Sequence, residues 1–280
     1  MIPKIIHYCW FGKHPIPEQF VMYINQWKKI LPHYELKEWN ESNFELSKAP
    51  LYVREAYECK KFAFVSDYVR LYALYSEGGI YLDTDVIVKK SFDNYLNNGF
   101  FSSIEYHKDM VKSLGIIKND LNKDYTRKEY VEHIRGIGIQ SAIFGGEKGN
   151  EFLKCCLDFY KDKVFIMQDG SYYDKVILPD ILALCAEKYG FKYIEGQQSL
   201  GANVNIYPQE IFTGIKNATD NSVAIHCAHN SWRNKSFLQK TSIFLSQYSW
   251  GNKLKKILDI IGVRSFITVS YTHLRAHETR

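Results

Sequence analysis

The six cysteines, Cys9, Cys59, Cys155, Cys156, Cys185 and Cys227, are scattered without any Cys-x-x-Cys spacing. Nothing marks a disulfide framework, and the expectation is a reduced, cytoplasmic protein with free thiols. The opening residues MIPKIIHYCW lack the basic segment and long apolar core of a secretory leader. No run approaches the roughly 18 apolar residues that a membrane span needs, so any membrane contact is expected to be peripheral. Blocks of five like charges are missing too, and the formal net charge is only +5. That excludes the electrostatic footprint of a nucleic-acid binder, while anionic small substrates and a lipid surface stay open. Without repeats, long linkers or low-complexity stretches, the 280 residues read most simply as one domain over 1–262.

Aromatic residues are plentiful instead: they make up 15% of the chain, and Tyr occurs 21 times. A Tyr-rich core accounts for this, as does stacking on sugars or bases. Residues 4–10 are apolar and β-branched and predict a strand, stopped by Gly12 and two prolines. Residues 18–31 carry apolar side chains at 20, 24, 27 and 31, a helical stripe opening after Pro17. A second strand is predicted at 34–39 and one helix over 49–76, closed by Gly78 and Gly79. This strand–helix alternation argues for an α/β fold with a mainly parallel sheet. FFSSIEY, SAIFGG, VNIYP and SVAIHCA read as further strands, residues 150–161 and 180–189 as helices, and 105–135 as irregular insertions.

Within the apolar stretch GGIYLDTDVIV, residues 78–88, two carboxylates stand one residue apart. On one continuous strand Tyr81, Asp83 and Asp85 would share a face, with Cα atoms about 6.6 Å apart. Like charges that close conflict, and a divalent cation such as Mg²⁺ or Mn²⁺ between them resolves the conflict and suggests a diphosphate-bearing substrate. Alternatively the strand ends near Asp83 and both acids project into solvent, or the motif is that of an aspartyl-nucleophile phosphatase. Upstream, Asp67 and Arg70 lie three residues apart on one helical face, as an ion pair or as a clamp for ribose hydroxyls and phosphate. AIHCAHNSWRN adds His226, His229, Ser231 and Trp232, either hydrogen-bonding residues after a strand or a metal- and phosphate-binding group.

Together, IPKIIHYCWFG, SDYVRLYALYSEGGIYLDTDV and AIHCAHNSW resemble the bacterial glycosyltransferases of family 32, related to the clostridial toxin glucosyltransferases. The likeness runs over about residues 1–235. It implies a GT-A type fold, a parallel nucleotide-binding sheet (1–105) with a smaller antiparallel acceptor and diphosphate region (106–235). An amphipathic C-terminal part (236–262) and a non-functional tail (263–280) follow. The implied donor is a nucleotide sugar, UDP-linked or GDP-linked, used with Mn²⁺ or Mg²⁺ and with retention of configuration. By the same resemblance Trp10 stacks on the base, Asp67 and Arg70 hold ribose and sugar, and Asp83 and Asp85 carry the metal. His226 is mapped as the third ligand, with His229 its competitor, Ser231 and Trp232 are mapped near the diphosphate, and Tyr81 is taken as a donor contact; Gln140, in GIQSAIFGG, reads either as part of the donor or acceptor pocket or as a strand-edge amide. The implied activity is metal-dependent sugar transfer to a glycan or lipid-linked acceptor in surface polysaccharide synthesis. A non-catalytic, cation-dependent sugar- or nucleotide-binding module is the alternative. The basic amphipathic stretch YSWGNKLKKILDIIG suits either peripheral membrane contact or packing on the main domain.

Overall fold

The β-branched run after Pro3 forms β1 (Ile5–Cys9), and α1 (Glu18–Ile30) buries Phe20, Ile24 and Trp27, the predicted stripe. The structure is a computed structural model that describes residues 1–228. His229, Ser231, Trp232, the amphipathic stretch of 236–262 and the tail of 263–280 lie outside the described residues. Strand β2 (Glu35–Trp39) runs parallel to β1. The helix expected over 49–76 is in fact two, α2 (Leu51–Glu58) and α3 (Phe62–Glu77). Lys60 sits between them at φ 57°, and the N–H groups of Lys60 and Lys61 close on the carbonyls of Tyr57 and Ala56. This is a Schellman cap, usually built on glycine. With lysine in that place the sequence carries no punctuation mark.

Helix α3 gives way at Gly78 (φ 74°) to β3 (Gly79–Leu82), which opens on Gly79 at φ 125°. A Cβ on Gly79 would also lie 2.7 Å from the Ile5 carbonyl oxygen and 2.8 Å from His7 Nε2. His7 is fully buried beneath this turn. Its Nδ1 accepts from Trp39 Nε1 at 2.9 Å, so the ring proton is on Nε2, which donates to the Gly78 carbonyl at 2.8 Å. Burial holds the His7 pKa below its ordinary value, which keeps this neutral form.

The continuous strand over 78–88 is not formed: β3 stops at Leu82, as in the alternative in which the strand ends near Asp83. A turn through Asp83, Thr84 and Asp85, closed by Val86 N–H donating to the Asp83 carbonyl at 3.1 Å, leads into β4 (Val86–Val88), which belongs to a different sheet. Tyr81, Asp83 and Asp85 therefore do not share a face by strand alternation. Strand β3 is covered on both faces, and two carboxylates cannot continue such a strand without stranding a charge in the core.

The remaining elements are β5 (Phe100–Tyr106), α4 (Lys108–Leu114), α5 (Ile116–Asn119), β6 (Ile137–Ile139), β7 (Ile143–Gly146), α6 (Glu151–Asp158), α7 (Leu178–Ala186), β8 (Gln198–Leu200), β9 (Val204–Tyr207), β10 (Phe212–Gly214) and β11 (Ala224–His226). The large sheet has the order β2-β1-β3-β7-β5-β9-β8, parallel through β2-β1-β3 and again at β5-β9, with β7 antiparallel between the two halves. Strand β7 pairs with the start of β5 and β6 with its end, so residues 140–142 bridge the step between them. The small sheet has the order β10-β11-β4. One core packs α2, α3, α6 and α7 on the large sheet; the other lies around Trp27, Leu82, Val86, Phe92, Phe101 and Phe212. In the second, α1 grips β4: Trp27 Nε1 donates to the Val86 carbonyl at 2.7 Å, and the Gln26 amide both donates to the Val88 carbonyl and accepts from Val88 N–H.

At the start of α7 the Asp180 carboxylate accepts from Ile177 N–H at 3.3 Å. Burial pushes this carboxyl up to about 7, against the Ile177 hydrogen bond and with help from Glu105. Its folded pKa therefore lies above the unfolded 3.8, and the stability it contributes is complete below that value and lost as pH rises through about 7. Asp180→Asn should flatten the fall of Tm between about pH 4 and about pH 8. Thermal melts across this range check it, and an unchanged slope would exclude Asp180 as the source.

Candidate active site

The site is built where β1 and β3, two parallel neighbours, reach their carboxyl ends, the usual place for ligands in such sheets. Arg70, on α3, is buried there with its side chain only 7% exposed. Its Nη2 lies 3.2 Å from Asp67 Oδ1 and 3.3 Å from Asp83 Oδ1, Nη1 donates to the Ser141 carbonyl at 2.7 Å, and Nε to the Ser66 carbonyl at 3.1 Å. The guanidinium also lies over the Tyr81 ring, 4.5 Å from its centre. Asp67 and Arg70 thus form the helical pair read from their spacing, but the pair extends to the acidic motif itself. Burial pushes the Asp67 carboxyl up to about 6, outweighing the pull of Arg70, and Asp83 adds to the rise.

Tyr81 is buried, and its hydroxyl donates to Asp83 Oδ1 at 2.8 Å. Burial lifts its pKa well above the ordinary value, so it remains a donor. Tyr81 therefore acts on Asp83 from beneath, and does not face outward beside it as a continuous strand would require. Cys9, at the end of β1, is buried alongside, its thiol pushed by burial up to about 12.

The turn after Leu82 brings Asp83 and Asp85 to His226, the last residue of β11. His226 Nε2 lies 3.2 Å from Asp85 Oδ1 and 3.7 Å from Asp83 Oδ2, and one ligand atom from each of the three falls within 4.8 Å of the others. Burial alone would lower the His226 pKa, but the Asp85 hydrogen bond and the charges of Asp83 and Asp85 hold it above its ordinary value. The register is fixed by β11 pairing with β4, His226 opposite Val86, and by Cys227 N–H donating to the Asp85 carbonyl at 3.0 Å. Two carboxylates and an imidazole fit a divalent cation, and the nitrogen donor suits Mn²⁺ better than Mg²⁺, which prefers oxygen alone.

Trp10 follows β1 at the same end of the sheet, half-buried, its Nε1 donating to the His14 carbonyl at 2.8 Å and its ring packed near Phe20. Gln140 is buried and turned inward: its Oε1 accepts from Ala142 N–H at 2.9 Å. That bond shapes the bridge of 140–142, whose Ser141 carbonyl meets Arg70 and whose Ala142 carbonyl accepts from Asp83 N–H at 2.9 Å. The sequence reading missed these backbone acceptors. It also missed the buried Ser102, whose hydroxyl donates to the Gln140 carbonyl at 2.6 Å and anchors the bridge to β5.

Residues 17–101 match the family model described as the glycosyltransferase sugar-binding region containing a DXD motif. An uncharacterized glycosyltransferase of Acanthamoeba polyphaga mimivirus is 33% identical over 110 residues, 36% of this chain and 42% of that protein. The subversion of eukaryotic traffic protein A of Legionella pneumophila is 27% identical over 130 residues, 36% of this chain and 20% of that protein. The match thus spans less than half the length of either relative. Among solved structures, the PaToxG glycosyltransferase covers 67% of this chain and 69% of its own at 20% identity and a TM-score of 0.48. The galactosyltransferase LgtC, solved with donor and acceptor sugar analogs, covers 82% and 90% at 13% identity and a TM-score of 0.42. The matched stretch, residues 17–101, contains the run Asp83-Thr84-Asp85, which has the DXD pattern that the family description names.

Proposed function

We propose that this protein is a metal-dependent glycosyltransferase of the GT-A type that moves a sugar from a nucleotide-sugar donor, UDP-linked by preference, to a glycan or glycolipid acceptor with retention of configuration. Synthesis of a bacterial surface polysaccharide is the role that the family 32 resemblance suggests. The observation that carries the reading is the meeting, at the carboxyl end of β3, of His226 with Asp83 and Asp85, the two acids inside the stretch that matches a DXD sugar-binding region. In this reading those three residues hold a divalent cation. When bound, the ion supplies Lewis-acid stabilisation of the nucleoside diphosphate leaving group.

The chain's own groups do the rest. Trp10 offers a half-open ring to the base at the end of β1, and Asp67 and Arg70 receive ribose and sugar hydroxyls, Arg70 already fixed by two carbonyls and two carboxylates. Tyr81 holds Asp83 in one rotamer by its hydroxyl. Gln140 acts at one remove, by shaping the bridge that meets Arg70. Ser231 and Trp232 belong to the reading as diphosphate-binding groups through the family resemblance, and with them residues 1–262 as one domain.

Nucleotide sugars incubated with Mn²⁺, and again with a chelator, test the proposal: donor cleavage that the chelator abolishes is expected. No cleavage of any UDP- or GDP-sugar, with or without acceptor glycans, would sink it. The imidazole of His226 must lose its proton to bind metal, and its carboxylate neighbours favour the protonated form. Mn²⁺ affinity is therefore expected to fall as pH drops towards and through 6.5, more steeply than in His226→Gln. Calorimetric titration of both proteins at several pH values checks this, and parallel pH profiles would remove His226 from the ligand set.

A further inference from the structure

We propose that a cleft of about 290 Å³ beside the end of β5, lined by Tyr106, Ile117, Tyr125, Tyr193, Ile194 and Glu195, binds a neutral oligosaccharide. The inference deepens the transferase reading, on which it rests, by naming the class of acceptor. Three tyrosines, two aliphatic side chains and one carboxylate make up its wall, with no lysine, arginine or histidine among them. Such a surface offers a phosphate no positive charge, and its carboxylate repels one. Aromatic faces instead pack on the apolar faces of sugar rings, while phenol hydroxyls and a carboxylate take the hydroxyl groups.

The cleft is held open by the chain itself. Tyr125 stands at φ 62°, a left-handed conformation that a bulky residue adopts only under constraint. Its N–H donates to the Asn122 carbonyl at 3.0 Å, and its own carbonyl accepts from Tyr193 N–H at 3.0 Å. Lys192 Nζ meets Asp124 Oδ2 at 2.9 Å, a second tie between the same two segments. The strained tyrosine is thus locked to the opposite wall while the residue stays 43% exposed. Strain of this kind concentrates at ligand sites.

Its position suits an acceptor. Tyr106 is the last residue of β5, and β5 and β3 both run antiparallel to β7 between them, so the cleft opens at the edge of the sheet where β3 ends before Asp83. A glycan lying across the end of β5 would therefore lie along the same sheet edge as the acidic turn. A peptide is a poorer fit, because the cleft presents rings and not an open strand edge.

The test is saturation-transfer difference NMR and titration of the native protein, without donor, using neutral tetrasaccharides of glucose, galactose and N-acetylglucosamine. At least one is expected to bind, with affinity about tenfold weaker in Tyr125→Gly and in Glu195→Gln. Because glycine relieves the left-handed strain, Tyr125→Gly should keep or raise Tm, so lost binding is not lost folding. No binding by any member of the panel, or equal binding by both variants and the native protein, overturns the assignment. Donor cleavage by the native protein is measured in parallel. Cleavage without glycan binding refutes the cleft alone, whereas glycan binding at these residues without cleavage supports the cleft and refutes the transferase reading.

Discussion

Asp85→Asn is expected to lower metal-dependent donor cleavage by roughly a hundredfold to a thousandfold, the range seen when one preorganised electrostatic group is removed from a reacting centre. The substitution keeps the shape of the side chain and removes its charge. Folding should survive, because the backbone carbonyl of Asp85, which accepts from Cys227 N–H, is untouched. Loss of one of two neighbouring anions also relieves repulsion with Asp83, and the imidazole of His226 loses the partner 3.2 Å away. Its pKa should then fall, since the hydrogen bond to Asp85 is the largest of the influences raising it. Initial rates against Mn²⁺ concentration, with thermal melts of the same samples, provide the check. A rate close to native at saturating metal would exclude Asp85 from the ligand set.

Arg70→Ala should have the largest effect on stability, about 3–5 kcal/mol, because it leaves buried charges without their partner. The guanidinium answers Asp67, Asp83 and the carbonyls of Ser66 and Ser141 at once. At about 2–4 °C per kcal/mol for a chain of this size, Tm is expected to drop by roughly 10 °C. Asp67, already pushed up to about 6, should move higher once the guanidinium that opposes the shift is gone. Arg70→Lys should recover only part of the loss, since an ammonium replaces the charge but not the fork that reaches two carboxylates and two carbonyls. Thermal and denaturant unfolding of both variants measures this. A shift of a degree or two in Arg70→Ala would mean that the charge cluster does not hold the site together.

The sequence disclosed those features that depend on periodicity or on a residue type with one obvious use. The stripe of α1, the α/β alternation and the pairing of Asp67 with Arg70 all follow from spacing, and His226 was found from the resemblance of its segment. What stayed hidden depends on the backbone. Lys60 caps α2 in a conformation usually given to glycine, so two helices looked like one. Sequence left the break at Asp83 open against a continuous strand, because GGIYL and VIV both read as strand and only the presence of a second sheet tells them apart. The carbonyls of Ser141 and Ala142 have no signature, since every residue has one. Gln140 was singled out for its side chain, yet its amide oxygen serves the bridge in which it sits.

The grip of α1 on β4 also bears on how this protein behaves in company. Among the described residues strand β4 ends the small sheet, and an exposed end strand is a template on which another chain can add. Here the outward carbonyl of Val86 is taken by Trp27, and both hydrogen-bonding groups of Val88 by the Gln26 amide, which stands in for the missing strand. A side chain that imitates backbone closes the row without extending it. The same helix that steadies the stem of the acidic turn thereby guards the protein against aggregation through that edge.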